Sequence, residues 1–343
     1  MAQILKIVFP AEWERQCGVV LTWPHRNTDW FPIFDEVIPV FISIAEEIAK
    51  REKLIIAAPD VAEVQQQLKH INASRIIYRK IDSNDSWARD HSAISIFAND
   101  VPYILDFTFN GWGLKFPANH DNQITRKLYE SGAFSPTITY RNMMHLVLEG
   151  GSIESDGKGT LLTTSECLLS ANRNEYRSKS EIDDYLKLIF GAERILWLNH
   201  GYLVGDDTDS HIDTLARFCS PETIAYVKSE DPEDEHFEEL SLMEKELQMF
   251  RTSEGSFYEL IPLPMADPVY FEGERLPATY ANFLIINDAV LMPGYGSPKD
   301  AEAKKQLQKA FLEQEVVVIN CLPLIKQHGS LHCVTMQFPE RFF

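Results

Sequence analysis

At 343 residues with 45% hydrophobic side chains, the chain can bury a core and form one large domain or two ordinary ones. Its 32 basic against 51 acidic residues give a formal net charge of −19. That argues against nucleic acid, whose phosphates need Lys and Arg, and is compatible with a cationic substrate, although net charge mostly serves solubility.

Five cysteines (Cys17, Cys167, Cys219, Cys321 and Cys333) form no Cys-x-x-Cys pair. An odd count in a long chain argues against a disulfide framework. Met1–Phe9 lacks the apolar stretch of a signal peptide, and no apolar run reaches the roughly 18 residues of a membrane span. The expected setting is a reducing cytoplasm, away from membranes.

In chain order, Gly18–Thr22 reads as a strand without an adjacent hairpin partner, followed by a helix over Val37–Lys50 and a strand at Leu54–Ala58. Ser92–Phe107 reads as strand, Ala98-Asn99-Asp100 turn, strand. The same pattern returns at Ser152–Thr164 around Asp156-Gly157-Lys158-Gly159, at Ile212–Val227 around Ser220-Pro221-Glu222, and at Asn282–Met292 around Asn287-Asp288. Helical stretches follow, as at Lys179–Phe190, Glu235–Arg251 and Pro298–Gln314. Short apolar strands close the units at His145–Leu148, Ile195–Leu198, Tyr258–Leu263 and Val316–Asn320.

Four strand-strand-helix-strand units result. A fifth assembles if Leu331–Phe338, a strand without a following helix, pairs with Gly18–Thr22. The fold class predicted is α/β: a fivefold pseudosymmetric α/β propeller in a single domain over residues 1–343, closed by the two chain ends. Hairpins outnumber simple strand–helix alternation, which disfavours a doubly wound sheet. The acidic run Ser229–Glu239 reads as the solvated start of a helix.

Cys333 follows the Gly/Ser-containing loop Gln327-His328-Gly329-Ser330 and opens a strand-like run, a good place for a nucleophile. Its neighbour His332 would point to the opposite face of a strand and reads as structural or on the far side of the sheet. His211 and Asp213, two apart at a strand start, can share a side, and His211 is the better base. They read equally as a capping or salt-bridged pair. The turn Gly205-Asp206-Asp207-Thr208-Asp209 raises a metal site, but calcium-loop spacing and zinc patterns are absent. In Trp87-Ala88-Arg89-Asp90-His91, a Trp beside an Asp suits a planar cation, while Arg89 reads as structural, in a buried Arg–Asp bridge beside a core Trp. Glu149 ends an apolar strand before Gly150-Gly151, where a carboxylate needs a partner; it orients His211 or binds substrate.

Together these motifs resemble agmatine deiminases and the related bacterial peptidylarginine-deiminase-like proteins, of the guanidino-group-modifying superfamily. The resemblance runs through Thr22-Trp23-Pro24-His25, Asn84–Asp90, Glu149-Gly150-Gly151-Ser152, Gly205-Asp206-Asp207-Thr208, His211-Ile212-Asp213 and Leu331-His332-Cys333. It implies the same fivefold propeller, with Cys333 as nucleophile and His211 as general acid/base. Asp90 and Asp213 would bind the guanidinium nitrogens, and Glu149 would hydrogen-bond substrate or His211. Trp87 and Trp112, the latter in Asn110-Gly111-Trp112-Gly113, would line the pocket. It further implies an agmatine-hydrolysing enzyme with no metal or organic cofactor, a small cationic guanidino substrate, and a homodimer.

Ser92-Ala93, Ser210 and the Gln327–Ser330 loop replace more glycine- or proline-rich sequence in relatives, which bears on loop shape and substrate choice. Protein-arginine deimination by the same chemistry is the nearest alternative. An amidinotransferase would need a competing amine acceptor. A non-catalytic guanidinium-binding protein would have no need of both Cys333 and His211. A metal-dependent hydrolase fits less well.

Overall fold

Five sheets repeat one arrangement: two antiparallel strands, then a third added in parallel after a helical crossover. The structure, a computed structural model, describes residues 6–174 and 177–343. Four sheets start with a tight hairpin: Ile94–Ala98 with Val101–Thr108, Ile153–Ser155 with Thr160–Thr164, Ala216–Ser220 with Thr223–Lys228, and Leu284–Ile286 with Ala289–Gly294. Their parallel third strands are Thr139–Val147, Arg194–Leu198, Glu259–Pro264 and Glu315–Asn320.

In the fifth sheet the antiparallel pair comes from the two chain ends. Thr335–Pro339 runs against Gln16–Thr22 with Thr335 opposite Leu21 and Phe338 opposite Gly18. Lys53–Ala58 then adds in parallel. The expected pairing of the terminal strands is therefore present.

The hairpin turns follow from local chemistry. Asn99 and Asp100 both take positive φ (49° and 62°), as does Asp288 (64°), conformations that Asn and Asp tolerate and that match strand twist. The helix Lys179–Phe190 is bounded by local signals too: Ser178 and Glu181 form a reciprocal capping box, and Gly191 ends it at φ 67°. Helix Phe34–Arg51 lays Val37, Phe41, Ile44 and Ile48 at helical spacing into the main core, which includes Val19, Leu21, Leu54 and Ile56.

Several boundaries differ from expectation. The strand predicted over Leu331–Phe338 begins only at Thr335; residues 331–334 form a turn. Thr335 Oγ1 donates to the carbonyls of Leu331 and His332, and this local bonding competes with an extended ladder. Likewise Ile212–Thr214 is a 3-10 turn, with Thr214 Oγ1 donating to the His211 carbonyl at 2.8 Å. The strand expected at His145–Leu148 starts six residues earlier, at Thr139, and ends at Val147.

The acidic run leads into the helix Phe237–Met249, with Glu238 and Glu239 in its first turn, and Asp234 is held by Arg275 and His236. Strands Ile76–Lys80, Ile7–Val8 and the hairpin Val269–Phe271/Glu274–Leu276 are additions that periodicity did not reveal. Among the described residues, no helix is long and apolar enough to cross a membrane.

Candidate active site

Each of these five sheets receives a polar side chain from the segment just before one strand of its antiparallel pair. Asp90 lies on the short helix Ala88–His91 ahead of Ile94–Ala98. Glu149 and the turn Gly150–Ser152 precede Ile153–Ser155. His211 and Asp213 precede Ala216–Ser220, and Asn282 precedes Leu284–Ile286. Cys333 precedes Thr335–Pro339. Equivalent positions in five repeated units thus supply the site.

A pocket of about 590 Å³ reaches Cys333, Asp90, Trp87 and Trp112. Asp29, Asp82, Asp85, Asp207 and the ring of Phe116 also line it, and burial raises the Asp85 carboxyl to about 7. His211, Asp213 and Glu149 are buried behind it. Asp90 is oriented by two donors, Trp112 Nε1 at 2.9 Å and the Gly151 amide at 3.0 Å. His211 lies with Nδ1 3.6 Å from Asp90 Oδ1 and Nε2 4.0 Å from Glu149 Oε2. Both of its ring nitrogens and Asp213 Oδ1 are buried without a protein hydrogen-bond partner. These are the groups that an incoming guanidinium or water can satisfy. Gly151 makes the convergence possible: a Cβ there would lie 2.6 Å from His211 Nδ1 and 2.8 Å from Asp90 Oδ1.

The loop before His211 is built from its own carboxylates. Asp206 accepts from Thr208 Oγ1 at 2.6 Å and from the Ser210 amide at 2.7 Å. Asp209 binds Lys115 and Arg173. The suspected cation loop is therefore a scaffold. Ser210 and His328 sit at φ 62° and 64°, in the left-handed region that favours glycine.

Electrostatics set the protonation states of these side chains. Burial pushes the Cys333 thiol well above its usual range, and Asp213 and Asp90 push it the same way. Burial also lowers His211 to about 3, so the imidazole is neutral. Asp90 is raised well above the usual carboxylate range, first by burial and then by Asp213. Asp213 is instead held low: burial raises it, but His332, followed by His211 and Arg217, outweighs that.

Of the seven residues expected here, Cys333, Asp90, Trp87 and Trp112 line the pocket and His211, Asp213 and Glu149 stand behind it. Trp112 does more than pack, since its indole N–H holds Asp90. The expectation that His332 faces away is wrong. The turn at 331–334 replaces strand alternation, and His332 Nδ1 lies 2.7 Å from Asp213 Oδ2. Arg89 is structural as expected, but its partner is not Asp90: it donates to Gln337 Oε1 at 2.7 Å and sits 3.8 Å from Glu12.

Sequence reasoning missed Asn282, whose Oδ1 accepts the His332 and Cys333 amides at 2.9 and 3.3 Å and lies 3.4 Å from Cys333 Sγ. A lone amide inside the apolar run Tyr280–Ile286 was its signal. Arg173 was also missed; it grips Glu149. Two groups of metal-ligand type are close together, Glu149/Cys167/His211 and Glu12/Glu154/His332. In both, a guanidinium (Arg173 or Arg217) already occupies the carboxylates.

Comparison with known proteins agrees over the whole chain. A crystal structure from Porphyromonas gingivalis, provisionally described as an arginine deiminase, is 52% identical and superimposes with a TM-score of 0.94 over 98% of this chain and 100% of that one. A cysteine-to-serine variant of C. jejuni agmatine deiminase with substrate bound is 37% identical, with a TM-score of 0.93, covering 100% and 99%. Agmatine deiminase of Pseudomonas aeruginosa is 32% identical over 96% of this chain and 95% of its own. The sequence profile of the Porphyromonas-type peptidyl-arginine deiminases matches residues 8–339, and the chain belongs to that family.

Proposed function

We propose that the protein is an agmatine deiminase, a hydrolase of linear amidine C–N bonds, built as a single-domain fivefold α/β propeller. The observation that carries the reading is the convergence of Cys333, Asp90, His211 and Asp213 at the inner end of an acidic, aromatic-walled pocket. Such a pocket suits a small molecule with a guanidinium at one end and an ammonium at the other. The five matching sheet topologies and the pairing of the chain ends support the propeller.

Asp90 and Asp213 hold the planar guanidinium by charge-assisted hydrogen bonds and set its central carbon beside Cys333. The cation entering between two carboxylates and the thiol favours thiolate, and the thiol proton passes to neutral His211. The thiolate adds to the guanidinium carbon. His211 returns its proton to one amino group, which leaves as ammonia, and an amidino-cysteine cation remains. Water then attacks as His211 takes its proton. Collapse expels the thiolate and releases the ureido product, N-carbamoylputrescine. The second water proton leaves with ammonia as ammonium.

Glu149, fixed by Arg173, orients His211. Trp87 and Trp112 wall the planar group. The test is ammonia release from agmatine, arginine, a peptidylarginine and dimethylarginine. Agmatine is expected to give the highest kcat/KM, and Cys333→Ser to abolish it. Preference for peptidylarginine would transfer the same chemistry to protein deimination.

A further inference from the structure

We propose that His332 is a positioning residue that carries a proton on each ring nitrogen and thereby locks Asp213 as an ionised guanidinium acceptor. The proposal rests on the reading of Asp213 as a substrate ligand. His332 is buried, and both of its ring nitrogens face carboxylates: Nδ1 is 2.7 Å from Asp213 Oδ2 and Nε2 is 2.9 Å from Glu12 Oε2. A neutral imidazole has one donor and one lone pair. The lone pair would confront a carboxylate oxygen at hydrogen-bond distance, unless that carboxyl held the proton.

Glu12 is not the proton's place. Its Oε2 also accepts from Arg217 at 2.9 Å, and its Oε1 accepts the Ile285 amide at 2.7 Å. Between Asp213 and the ring, imidazole is the stronger base by about 2–3 pKa units. Arg217 and Arg89 face Glu12 and Glu154 around the ring, and burial raises Glu154 to about 7, so the geometry at the two ring nitrogens carries the assignment. Burial and the two arginines oppose the ring charge. Together they lower the ring below its ordinary value, with Glu12 and Asp213 pulling the other way. Against that shift stand the two carboxylate contacts, at 2.7 and 2.9 Å. On the other side, Asp213 faces His211 and Asp90.

The consequence lies at Asp213. Oδ2 is tied to His332, while Oδ1 has no protein partner. The carboxylate is thus ionised, fixed in rotation and left with one free oxygen.

The direct test is nitrogen NMR of wild-type protein labelled in its imidazole rings, with the His332 signals assigned by their loss in His332→Gln. Two protonated ring nitrogens between pH 6 and 8 are expected. A ring nitrogen bare throughout that range overturns the proposal. The second test is agmatine binding to Cys333→Ser, with and without His332→Gln, by calorimetry across pH. The double variant should bind at least tenfold more weakly, with affinity falling further below neutral pH as Asp213 takes up a proton. Affinity within twofold and an unchanged pH profile would overturn it. If Cys333→Ser itself binds no agmatine, the substrate assignment fails, and the nitrogen spectrum still decides the charge on His332.

Discussion

Arg173 Nε lies 3.0 Å from both carboxylate oxygens of Glu149, and neither side chain reaches solvent. The same guanidinium holds Asp209 at 2.6 Å and the Thr208 carbonyl at 2.7 Å, so one cation fixes both Glu149 and the loop leading into His211. Breaking a buried pair leaves an unpaired charge, at about 3–5 kcal/mol. Arg173→Met should therefore lower the unfolding temperature and reduce kcat/KM about a hundredfold or more. Arg173→Lys, which keeps charge but loses the fork, should fall between. Thermal unfolding and ammonia release check both; wild-type turnover in Arg173→Met would remove Glu149 from the machinery.

Gly151 makes a second prediction. Its φ is not in the left-handed region, so alanine meets no backbone strain there. The obstacle is space: the added methyl would sit 2.6 Å from His211 Nδ1, 2.8 Å from Asp90 Oδ1 and 3.1 Å from Asp213 Oδ2. Displacements near 1 Å at reacting groups cost on the order of a hundredfold in rate. Gly151→Ala should fold, with circular dichroism like wild type, and lose most of its turnover. Full activity would mean that His211 and Asp90 need not approach each other.

How much of this was legible in sequence depends on range. Asn99-Asp100 and Asn287-Asp288 mark hairpins because the turn chemistry is carried by the turn residues themselves. Asp90, His211, Asp213 and Cys333 stand beside Trp, Gly or other polar residues that betray a site. Arg173 and Glu12 gave no local sign of their role, and Asn282 only a lone amide in an apolar run. Glu12 meets Arg217 and His332 across 205 and 320 residues, and Asn282 meets Cys333 across 51. His332 was misplaced for a different reason. Period-two alternation does not hold over residues 331–334, which the Thr335 hydroxyl folds into a turn.

Trp112 is held at φ 54° between Gly111 and Gly113, both also at positive φ, and its N–H stabilises ionised Asp90. Trp112→Phe keeps the ring and loses that donor. The Asp90 pKa, already raised by burial, then rises further. The acidic limb of the kcat/KM profile should move to higher pH, with a drop of about tenfold at neutral pH. An unshifted limb with lowered activity would leave Trp112 as a wall alone.

Glu52 tests pH and stability away from the site. Burial raises its carboxyl to about 8, although Asn287 donates to Oε2 at 2.7 Å, and Oε1 has no partner. Between about pH 4.5 and 8 the folded state keeps this proton and the unfolded state does not. Stability from this group is therefore lost as pH rises through that window. Glu52→Gln removes the slope and should be more stable above pH 8, by roughly 1–3 kcal/mol. Melting temperatures of the two proteins should diverge from acid toward alkaline pH; parallel curves would show that Glu52 ionises without penalty.

The resting thiol gives the last prediction. Burial, Asp213 and Asp90 all raise Cys333, and neutral His211 supplies no compensating charge. Free enzyme should therefore carry Cys333 as thiol, and its alkylation by iodoacetamide should be slow at pH 7 and climb above pH 9. Peptide mapping separates it from Cys17, the one half-exposed thiol among the five. A guanidinium cation reverses the balance, because it enters between the same two carboxylates that disfavour the thiolate. Thiolate absorbance should then appear at neutral pH when a non-reacting guanidinium analogue is bound. Rapid alkylation of the free enzyme at pH 7 would instead mean that the protein activates its own nucleophile, leaving the substrate cation only its part in alignment.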